Sequence, residues 1–295
     1  MSGHDLDRAA WQEVVSRAVA EDMPGGDPTG AAVGSRPARA SLVARDAGTV
    51  CGLAGAQEVL DQVASRLGTG RARAGLSCAD GDRVLPGQVL AVLSGPADTL
   101  LAAERTLLNL VTHLSGVATA TAALVAEVEG TGATVRDTRK TLPGLRALEK
   151  YAVRCGGGRN HRMSLSDAVL VKDNHVAALG GVRPAVAAAR SLAATWPDGP
   201  LSVEVEVDDL AELDEALGAG ADLVLVDNMP LAQVAEAVRR ARAAGARVEA
   251  SGGIRPGRAA EVAATGVDFI AVGAITHSAP ALDIGLDWEL VQPVG

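Results

Sequence analysis

The sequence predicts an α/β protein whose larger part is a TIM-type (β/α) barrel. After residue 130, short apolar segments alternate with helical segments to give six βα-like units. The apolar segments are rich in Val, Ile or Leu and are followed by polar residues, as in parallel strands covered by helices. A standard barrel needs eight units, so six favour an incomplete barrel. A doubly wound open sheet is the alternative, but no strand precedes a convincing GxGxxG turn.

The six predicted strands and the helices between them follow one another closely. The strands are ATVRDT, AVLVKDN, LSVEVEV, DLVLVDN, ARVEASGG and VDFIAVGA. The predicted helices cover roughly residues 143–154, 183–194, 208–217, 230–244 and 257–265. This regular spacing is typical of βα repeats.

The first 130 residues have a different pattern. Apolar spacing predicts a helix over residues 5–20, followed by a loop, and a second helix closed by Gly68. Strand pairs are predicted around residues 46–48 and around Pro86 and Gly87. A long helical region over 97–128, with a break near Ser115 and Gly116, is apolar enough to be buried on several sides at a domain or subunit interface.

The composition limits the class of protein. The chain has 295 residues, 48% of them hydrophobic, and a net charge of -9, which disfavours binding to nucleic acid or anionic membranes. We find no uninterrupted apolar run of about 18 residues and no signal peptide pattern, so we expect a cytoplasmic protein. Three cysteines without zinc spacing argue against a disulfide framework and against a structural metal.

Positive charge is concentrated between residues 137 and 175. The basic residues there are Arg139, Lys140, Arg146, Lys150, Arg154, Arg159, His161, Arg162 and Lys172. In an acidic chain, such a stretch suits a small anion held in a pocket. Arg146, Lys150 and Arg154 have helical spacing, so we interpret some of them as a solvated helix face or a subunit contact.

Polar residues recur where the predicted strands end. They are Arg139 and Lys140, Lys172 and Asp173, Glu204 and Glu206, Asp227 and Asn228, Ser251 to Gly253, and Gly273. Taken singly, the Lys172 and Asp173 pair could be a surface pair worth less than ~1 kcal/mol, and Asp227 could cap a helix. In a barrel, however, the carboxyl ends of the strands share one face, where active sites lie.

The pocket predicted on this face has three chemical parts. Two glycine loops, SGGI and VGA, leave backbone N–H groups uncovered and suit a phosphate. Arginine and lysine side chains suit a di- or tri-carboxylate. Carboxylates near a phosphate suit Mg2+. The residues alone therefore predict an enzyme that joins a carboxylated small molecule to a phosphorylated sugar.

Several motifs together resemble those of the quinolinate phosphoribosyltransferase family. They are EDMPGGDPT, AERTLLNLVTHLSGVAT, DTRKT, GGGRNHR, LSDAVLVKDNH, EVEV, VDN, SGGI and VGA. The resemblance covers nearly the whole chain, and the combination of DTRKT with NHR and KDNH is highly specific.

The resemblance implies a reaction, a fold and an assembly. Phosphoribose would pass from 5-phosphoribosyl 1-pyrophosphate to quinolinate with loss of CO2 and pyrophosphate, giving nicotinate mononucleotide for NAD synthesis. An N-terminal α/β sandwich (1–112, joined by 279–295) would precede an incomplete, seven-stranded barrel (113–278). The resemblance further implies a homodimer in which Arg105 enters the site of the neighbouring subunit.

The resemblance also assigns roles to individual residues. Arg139, His161, Arg162 and Lys172 would hold the quinolinate carboxylates, with Thr138 beside them and Lys140 between the two substrates. Glu206 and Asp227 would hold the ribose hydroxyls and, through substrate or water, Mg2+; Glu206 is chosen over Glu204 for its spacing to Asp227. The 5-phosphate would lie against Ser251, Gly252, Gly253, Val272, Gly273 and Ala274. Lys140, Glu206 and Asp227 would be catalytic.

Three related functions compete with this one. A nicotinate-using enzyme, or a homologue linked to molybdate transport, would keep the barrel and the phosphate loops with a less basic wall. A regulatory protein that binds anionic metabolites would need the basic wall but would have no use for Glu206, Asp227 and the glycine loops together.

Overall fold

The computed structural model describes residues 6–290, which form parts of two compact units. Unit 1 contains residues up to 122, 141–157 and those from 275 on, and unit 2 contains 123–140 and 158–274. Residues 1–5 and 291–295 lie outside the described part, and with them the predicted start of the first helix at residue 5. The domain boundaries expected at 112/113 and 278/279 stay a prediction.

Unit 1 contains a four-stranded antiparallel sheet in the order β12-β1-β5-β3 and a two-stranded sheet of β2 and β4. Its elements are α1 (Arg8–Asp22), α2 (Pro28–Val33), β1 (Pro37–Ala44), β2 (Gly48–Thr49), a 3-10 turn (Leu53–Gly55), α3 (Ala56–Leu67), β3 (Arg73–Leu76), β4 (Arg83–Val84), β5 (Val89–Pro96), most of α4 (Ala97–Glu127), α5 (Arg146–Cys155) and β12 (Ile284–Leu290).

The ends of the first helices follow from local capping. The carboxylate of Asp7 accepts a hydrogen bond from the Ala10 N–H at 3.1 Å and so fixes the start of α1. Gly68, with a φ of +67°, ends α3 as predicted, because a left-handed residue is least costly as glycine.

Two strand pairings predicted from local patterns were wrong. The strands around residues 46–48 exist, but β1 pairs with β5 and β12, whereas β2 pairs with β4. Likewise β4 and β5 flank Pro86 and Gly87 without pairing with each other. Strands of only two residues gain little from a local hairpin, so tertiary packing decides their partners.

The predicted break in α4 was also wrong, because the helix is continuous from Ala97 to Glu127. Gly116 serves close packing instead: a Cβ there would lie 2.1 Å from the carbonyl oxygen of Pro280. The neighbouring Ser115 is buried, and its hydroxyl accepts a hydrogen bond from the Cys51 N–H at 2.9 Å. Gly116 and Ser115 therefore fit a crowded helix face rather than a turn.

By length and composition, α4 could cross a membrane, although no uninterrupted apolar run predicts it. An 18-residue window of α4 has a mean hydropathy of 1.4, yet 56% of that window is buried within the protein. The core helix of a soluble protein meets the same two criteria, so this is weak evidence for a membrane span.

Unit 2 contains a six-stranded parallel sheet in the order β6-β11-β10-β9-β8-β7. Its elements are β6 (Thr134–Arg136), β7 (Val169–Val171), α6 (Asp173–Leu179), α7 (Val182–Ala194), β8 (Val203–Val207), α8 (Leu210–Gly218), β9 (Leu223–Asp227), α9 (Leu231–Ala243), β10 (Arg247–Ser251), α10 (Ala259–Ala264) and β11 (Phe269–Ala271), after which comes α11 (Ala274–His277). All six predicted strands are present.

The two end strands of this sheet are β6 and β7, and a parallel bridge between Arg136 and Arg159 extends the sheet on the β6 side. Helices cover the sheet through buried aliphatic residues such as Val205 and Val224 on the strands and Leu213 on α8. The predicted fold class, an incomplete TIM-type barrel with an N-terminal α/β domain, is confirmed.

Candidate active site

A cavity of about 350 Å³ lies in unit 2 at the carboxyl ends of the barrel strands. Its lining is Thr138, Arg139, Lys140, His161, Arg162, Leu170, Lys172, Glu206, Leu225, Asp227, Glu249, Ser251 and Ala271. Nine predicted site residues are among them: Thr138, Arg139, Lys140, His161, Arg162, Lys172, Glu206, Asp227 and Ser251. The convergence of parallel strands at one edge explains why residues over 100 positions apart meet here.

The basic side of the cavity comes from two loops and one strand end. After β6 the chain turns at Thr138, whose hydroxyl accepts the Lys140 N–H at 3.0 Å. Arg162 is half-buried and donates from Nη1 to the carbonyl oxygen of Ala168 at 3.1 Å. Burial, and then the nearby charge of Arg139, lower the pKa of Arg162. An anion bound between these guanidinium groups would relieve their repulsion.

The acidic side of the cavity comes from the ends of β8 and β9. Glu206 forms an ion pair with Lys172 Nζ, and Asp227 accepts a hydrogen bond from the Asn228 side-chain amide at 2.8 Å. These carboxylates, set against the basic residues, divide the cavity into regions of opposite charge.

The side chains of Glu204 and Glu206 lie in different surroundings. The two are alternate residues of β8, so their side chains lie on the same side of the strand at depths that differ by about 6–7 Å. Glu206 lines the cavity, whereas Glu204 is 4% exposed and contacts His161. Of the two, Glu206 therefore lines this cavity, and its contact with a ligand stays a prediction.

The two glycine loops lie beside the cavity. Gly252 has a φ of +96°, and a Cβ there would lie 2.3 Å from the Asn228 side-chain oxygen. A Cβ on Gly273 would lie 2.9 Å from Lys140 Cδ and 3.3 Å from the Thr138 hydroxyl. A side chain at Gly252 would therefore collide with Asn228, and one at Gly273 would displace Lys140. Of the six residues predicted to bind phosphate, Ser251 lines the cavity, Gly252, Gly253, Val272 and Gly273 lie in these loops, and Ala274 is the first residue of α11.

A layer of charged side chains lies inside the barrel at the floor of the cavity. Arg136 Nη1 donates to Glu249 Oε2 at 2.7 Å, and its guanidinium stacks 3.7 Å from the centre of the Phe269 ring. His161 Nε2 lies 2.7 Å from Glu204 Oε2 and 3.5 Å from Glu249 Oε1. Burial, and then the charge of Glu204, raise the pKa of Glu249 to about 7. We name this set, Arg136, His161, Glu204 and Glu249, the charged layer.

The hydrogen bonds of His161 define its tautomer. The Arg162 N–H donates to His161 Nδ1 at 2.7 Å, so Nδ1 carries no proton. The proton is then on Nε2, which donates to Glu204. His161 lines the cavity as predicted, but both ring nitrogens already have protein partners.

One predicted site residue, Arg105, lies elsewhere, and one basic residue of α5 differs from its expected surroundings. Arg105 is an exposed residue of α4 in unit 1 and is not among the residues that line the cavity. Lys150 on α5 is fully buried, so it is not one of the residues of a solvated helix face. The other two basic residues of that helix, Arg146 and Arg154, are half-buried.

Sequence reasoning missed three residues that organise the site. The buried carboxylate of Asp137 accepts the His161 N–H at 2.8 Å and the Asn160 side-chain amide at 2.5 Å, which pins the loop that carries Arg162. Arg136 and Glu249 belong to the charged layer. A charged residue inside an otherwise apolar strand was the signal that could have indicated them.

Family models match most of the chain. The N-terminal domain of quinolinate phosphoribosyl transferase matches residues 27–115, and its C-terminal domain matches residues 117–287.

Individual proteins give the same result. The chain is 47% identical over 293 residues to the nicotinate-nucleotide pyrophosphorylase [carboxylating] of Mycobacterium leprae, covering 96% of this chain and 99% of that protein. It is 39% identical over 270 residues to the human protein of that name, covering 90% and 87%. The solved nicotinate-nucleotide pyrophosphorylase of Francisella tularensis superposes with a TM-score of 0.88 at 36% identity, covering 97% and 98%. With two family models and full-length relatives in agreement, the chain belongs to the quinolinate phosphoribosyl transferase family.

Proposed function

We propose that this chain transfers phosphoribose from 5-phosphoribosyl 1-pyrophosphate to quinolinate, releasing pyrophosphate and CO2 and forming nicotinate mononucleotide for NAD biosynthesis. The observation that carries the proposal is the single cavity in which Arg139, Arg162 and Lys172 face Glu206 and Asp227. Family membership narrows the carboxylated small molecule to quinolinate.

Quinolinate has two adjacent carboxylates on a pyridine ring, and the basic side of the cavity suits both. Arg139 and Arg162 can each offer a planar pair of N–H donors to a carboxylate. Lys172 adds a third positive charge but is engaged with Glu206. Binding of a di-anion would draw Lys172 away from Glu206 and so free that carboxylate for the second substrate.

The ribose of the second substrate lies near Glu206 and Asp227 in this proposal, with its 5-phosphate at the loops after β10 and β11. Those loops contain Gly252, Gly253 and Gly273, and glycine lets a phosphate come close to the main-chain N–H groups that commonly bind it. As pyrophosphate leaves, positive charge develops at the anomeric carbon, and the two carboxylates stabilise it. Lys140, beside Gly273, stabilises the departing anion.

The donors in the cavity fit Mg2+. Glu206 and Asp227 are carboxylates on the same cavity, and Mg2+ prefers one or two carboxylates together with water and substrate phosphate oxygens. When bound there, Mg2+ would neutralise charge on the pyrophosphate. The decarboxylation itself needs no protein base: the ring nitrogen becomes a pyridinium, whose positive charge stabilises the electron pair left on the adjacent carbon as CO2 departs, and that carbon then takes a proton from water.

A direct assay tests the proposal. The protein is incubated with 5-phosphoribosyl 1-pyrophosphate, Mg2+ and either quinolinate or nicotinate, and nicotinate mononucleotide and CO2 are measured. Both products should form with quinolinate. Product from nicotinate alone would indicate the nicotinate-using enzyme, and binding without turnover would indicate a regulatory protein.

Two variants test the site. Lys140→Ala and Arg105→Ala should each abolish turnover while the circular dichroism spectrum is unchanged, and Arg239→Ala, a surface change on α9, should leave turnover unchanged. Full activity in either of the first two variants would contradict the site assignment.

The proposal includes a cytoplasmic homodimer in which Arg105 completes the neighbouring site. Mixing the inactive Lys140→Ala and Arg105→Ala proteins should then restore activity, because hybrid dimers contain one site with both residues intact. Random exchange predicts recovery to about a quarter of the wild-type rate. A dimer that shows no recovery after verified subunit exchange would refute the shared site.

A further inference from the structure

The charged layer is an unusual filling for a barrel. The interior of a (β/α) barrel is normally packed with branched aliphatic side chains. Here Glu204 is 4% exposed and Glu249 is fully buried. Burying such groups costs several kcal/mol per ion unless partners compensate, and an apolar replacement is often neutral or stabilising. Stability therefore does not explain the layer.

The contacts of the charged layer connect Arg136, inside the barrel, to Arg162, which lines the cavity. Arg136 is held between the Phe269 ring and Glu249. Glu249 and Glu204 together contact the protonated side of the His161 ring. The opposite side of the ring, at Nδ1, accepts the Arg162 N–H. A fixed imidazole thus fixes the main chain from which the Arg162 side chain enters the cavity.

A metal ion is the competing explanation for this cluster. The donor atoms of His161, Glu204 and Glu249 lie within 4.8 Å of one another, which a metal site would require. However, the His161 nitrogen that faces the carboxylates carries a proton. Arg136 pairs with Glu249, and the opposite charges of Arg162 and Glu204 attract each other, so each carboxyl group already has a cationic neighbour.

We propose that the Arg136 and Glu249 pair positions Arg162 for quinolinate through His161, so that Glu249 is a positioning residue that touches no reacting atom. This inference rests on the proposed function, since it names quinolinate as the ligand whose binding depends on the layer. It gives His161 the task of orienting this loop in addition to the ligand contact that the family resemblance implies, since His161 also lines the cavity.

The test replaces the pair while preserving the volume of the core. The double variant Arg136→Met/Glu249→Leu should fold, because apolar residues of similar size replace a buried ion pair. Glu249→Gln keeps one acceptor oxygen, which Arg136 can still use, and serves as the conservative variant. Asp268→Ala is the matched control, since Asp268 accepts the Val248 N–H at the amino end of β10, one residue from Glu249.

Two dissociation constants are measured by calorimetry, one for quinolinate and one for 5-phosphoribosyl 1-pyrophosphate, together with KM and kcat. The double variant should bind quinolinate on the order of tenfold to a hundredfold more weakly, because a small displacement of Arg162 misplaces its contacts. Its affinity for the other substrate should change by less than about threefold. Glu249→Gln should recover most of the loss, and Asp268→Ala should bind both substrates like the wild type.

Several results would overturn the inference. These are wild-type quinolinate affinity in the double variant, equal weakening of both substrates, the same selective loss in Asp268→Ala, or stoichiometric Zn2+ binding by the wild type that the double variant lacks. If the wild-type protein binds no quinolinate, the proposed function fails and this inference with it. If the wild type is active and the double variant equals it, the inference alone fails.

Discussion

Replacement of Glu249 by Gln should make the stability of this protein less dependent on pH. Burial of the carboxyl group, and then the nearby charge of Glu204, raise the pKa of Glu249 from 4.5 to about 7, although His161 and Arg136 oppose the shift. Glutamine has nearly the same shape and cannot titrate. The variant therefore removes the proton uptake while the core keeps its volume.

The sign and size of the effect follow from this shift. Between pH 4.5 and about 7 the folded protein holds a proton on Glu249 that the unfolded chain releases. Stability from this group is thus fully present below pH 4.5, is lost as the pH rises to about 7, and does not return above it. A shift of this size corresponds to a free energy on the order of 3 kcal/mol.

Urea unfolding measures this difference. The free energy of unfolding of the wild type and of Glu249→Gln is determined at about pH 4.5 and about pH 8. Between the lower and the higher pH, the free energy of unfolding of the wild type should fall by about 3 kcal/mol more than that of the variant. Equal changes in the two proteins would refute the reasoning, because Glu249 would then be ionised throughout, with Arg136 compensating its charge.

Glu236 provides a control of opposite sign. Hydrogen bonds from Arg239 and Arg240 lower its pKa to about 2, so its contribution is lost only below the tested range. The free energy of unfolding of Glu236→Gln should therefore change with pH between about 4.5 and about 8 as that of the wild type does.

Three further outcomes are expected. Gly273→Ala should raise KM for 5-phosphoribosyl 1-pyrophosphate with an unchanged unfolding midpoint, because the new Cβ would meet Lys140 Cδ at 2.9 Å and displace it; an unchanged KM would contradict the phosphate assignment. Gly55→Ala should lower the free energy of unfolding by about 1–3 kcal/mol in urea titrations, since its Cβ would lie 2.0 Å from the Trp11 ring; wild-type stability would show that the ring can move. Removal of divalent cations by a chelator should abolish turnover, and added Mg2+ should restore it, whereas turnover in the chelator would exclude a Mg2+ requirement.

The mouth of the barrel could be predicted because parallel strands bring their carboxyl ends together. Arg139, Lys172, Glu206, Asp227 and Ser251 were all identified by their place at or near a strand end, and all line one cavity. That inference needs only the order of strands and helices along the chain, which apolar periodicity indicates well.

The charged layer could not be predicted in the same way. Arg136 and Glu249 lie within short strands, where a charged residue can point either into the barrel or out to solvent. Their pairing links β6 to β10 across 113 positions of sequence. The order of strands in the sheet, in which only β11 lies between β6 and β10, brings these two side chains within hydrogen-bonding distance.

Local patterns also failed where tertiary packing decided the outcome. Ser115 and Gly116 are typical of a turn, yet they let α4 pass close to the chain at Pro280. The two-residue strands β2 and β4 pair with each other across about 35 residues rather than with their sequence neighbours. In each case the deciding contact is distant in sequence.

The position of β12 has a consequence for how the protein is made. This strand pairs with β1 from Ala44 with Ile284 to Ala38 with Leu290, a link between segments about 240 residues apart. During synthesis, β5 can pair with one edge of β1 early. The other edge of β1 stays unpaired until β12 has been synthesised. An uncovered strand edge is a template for association with other chains. We therefore expect nascent unit 1 to be most prone to association with other chains before residue 290 is synthesised.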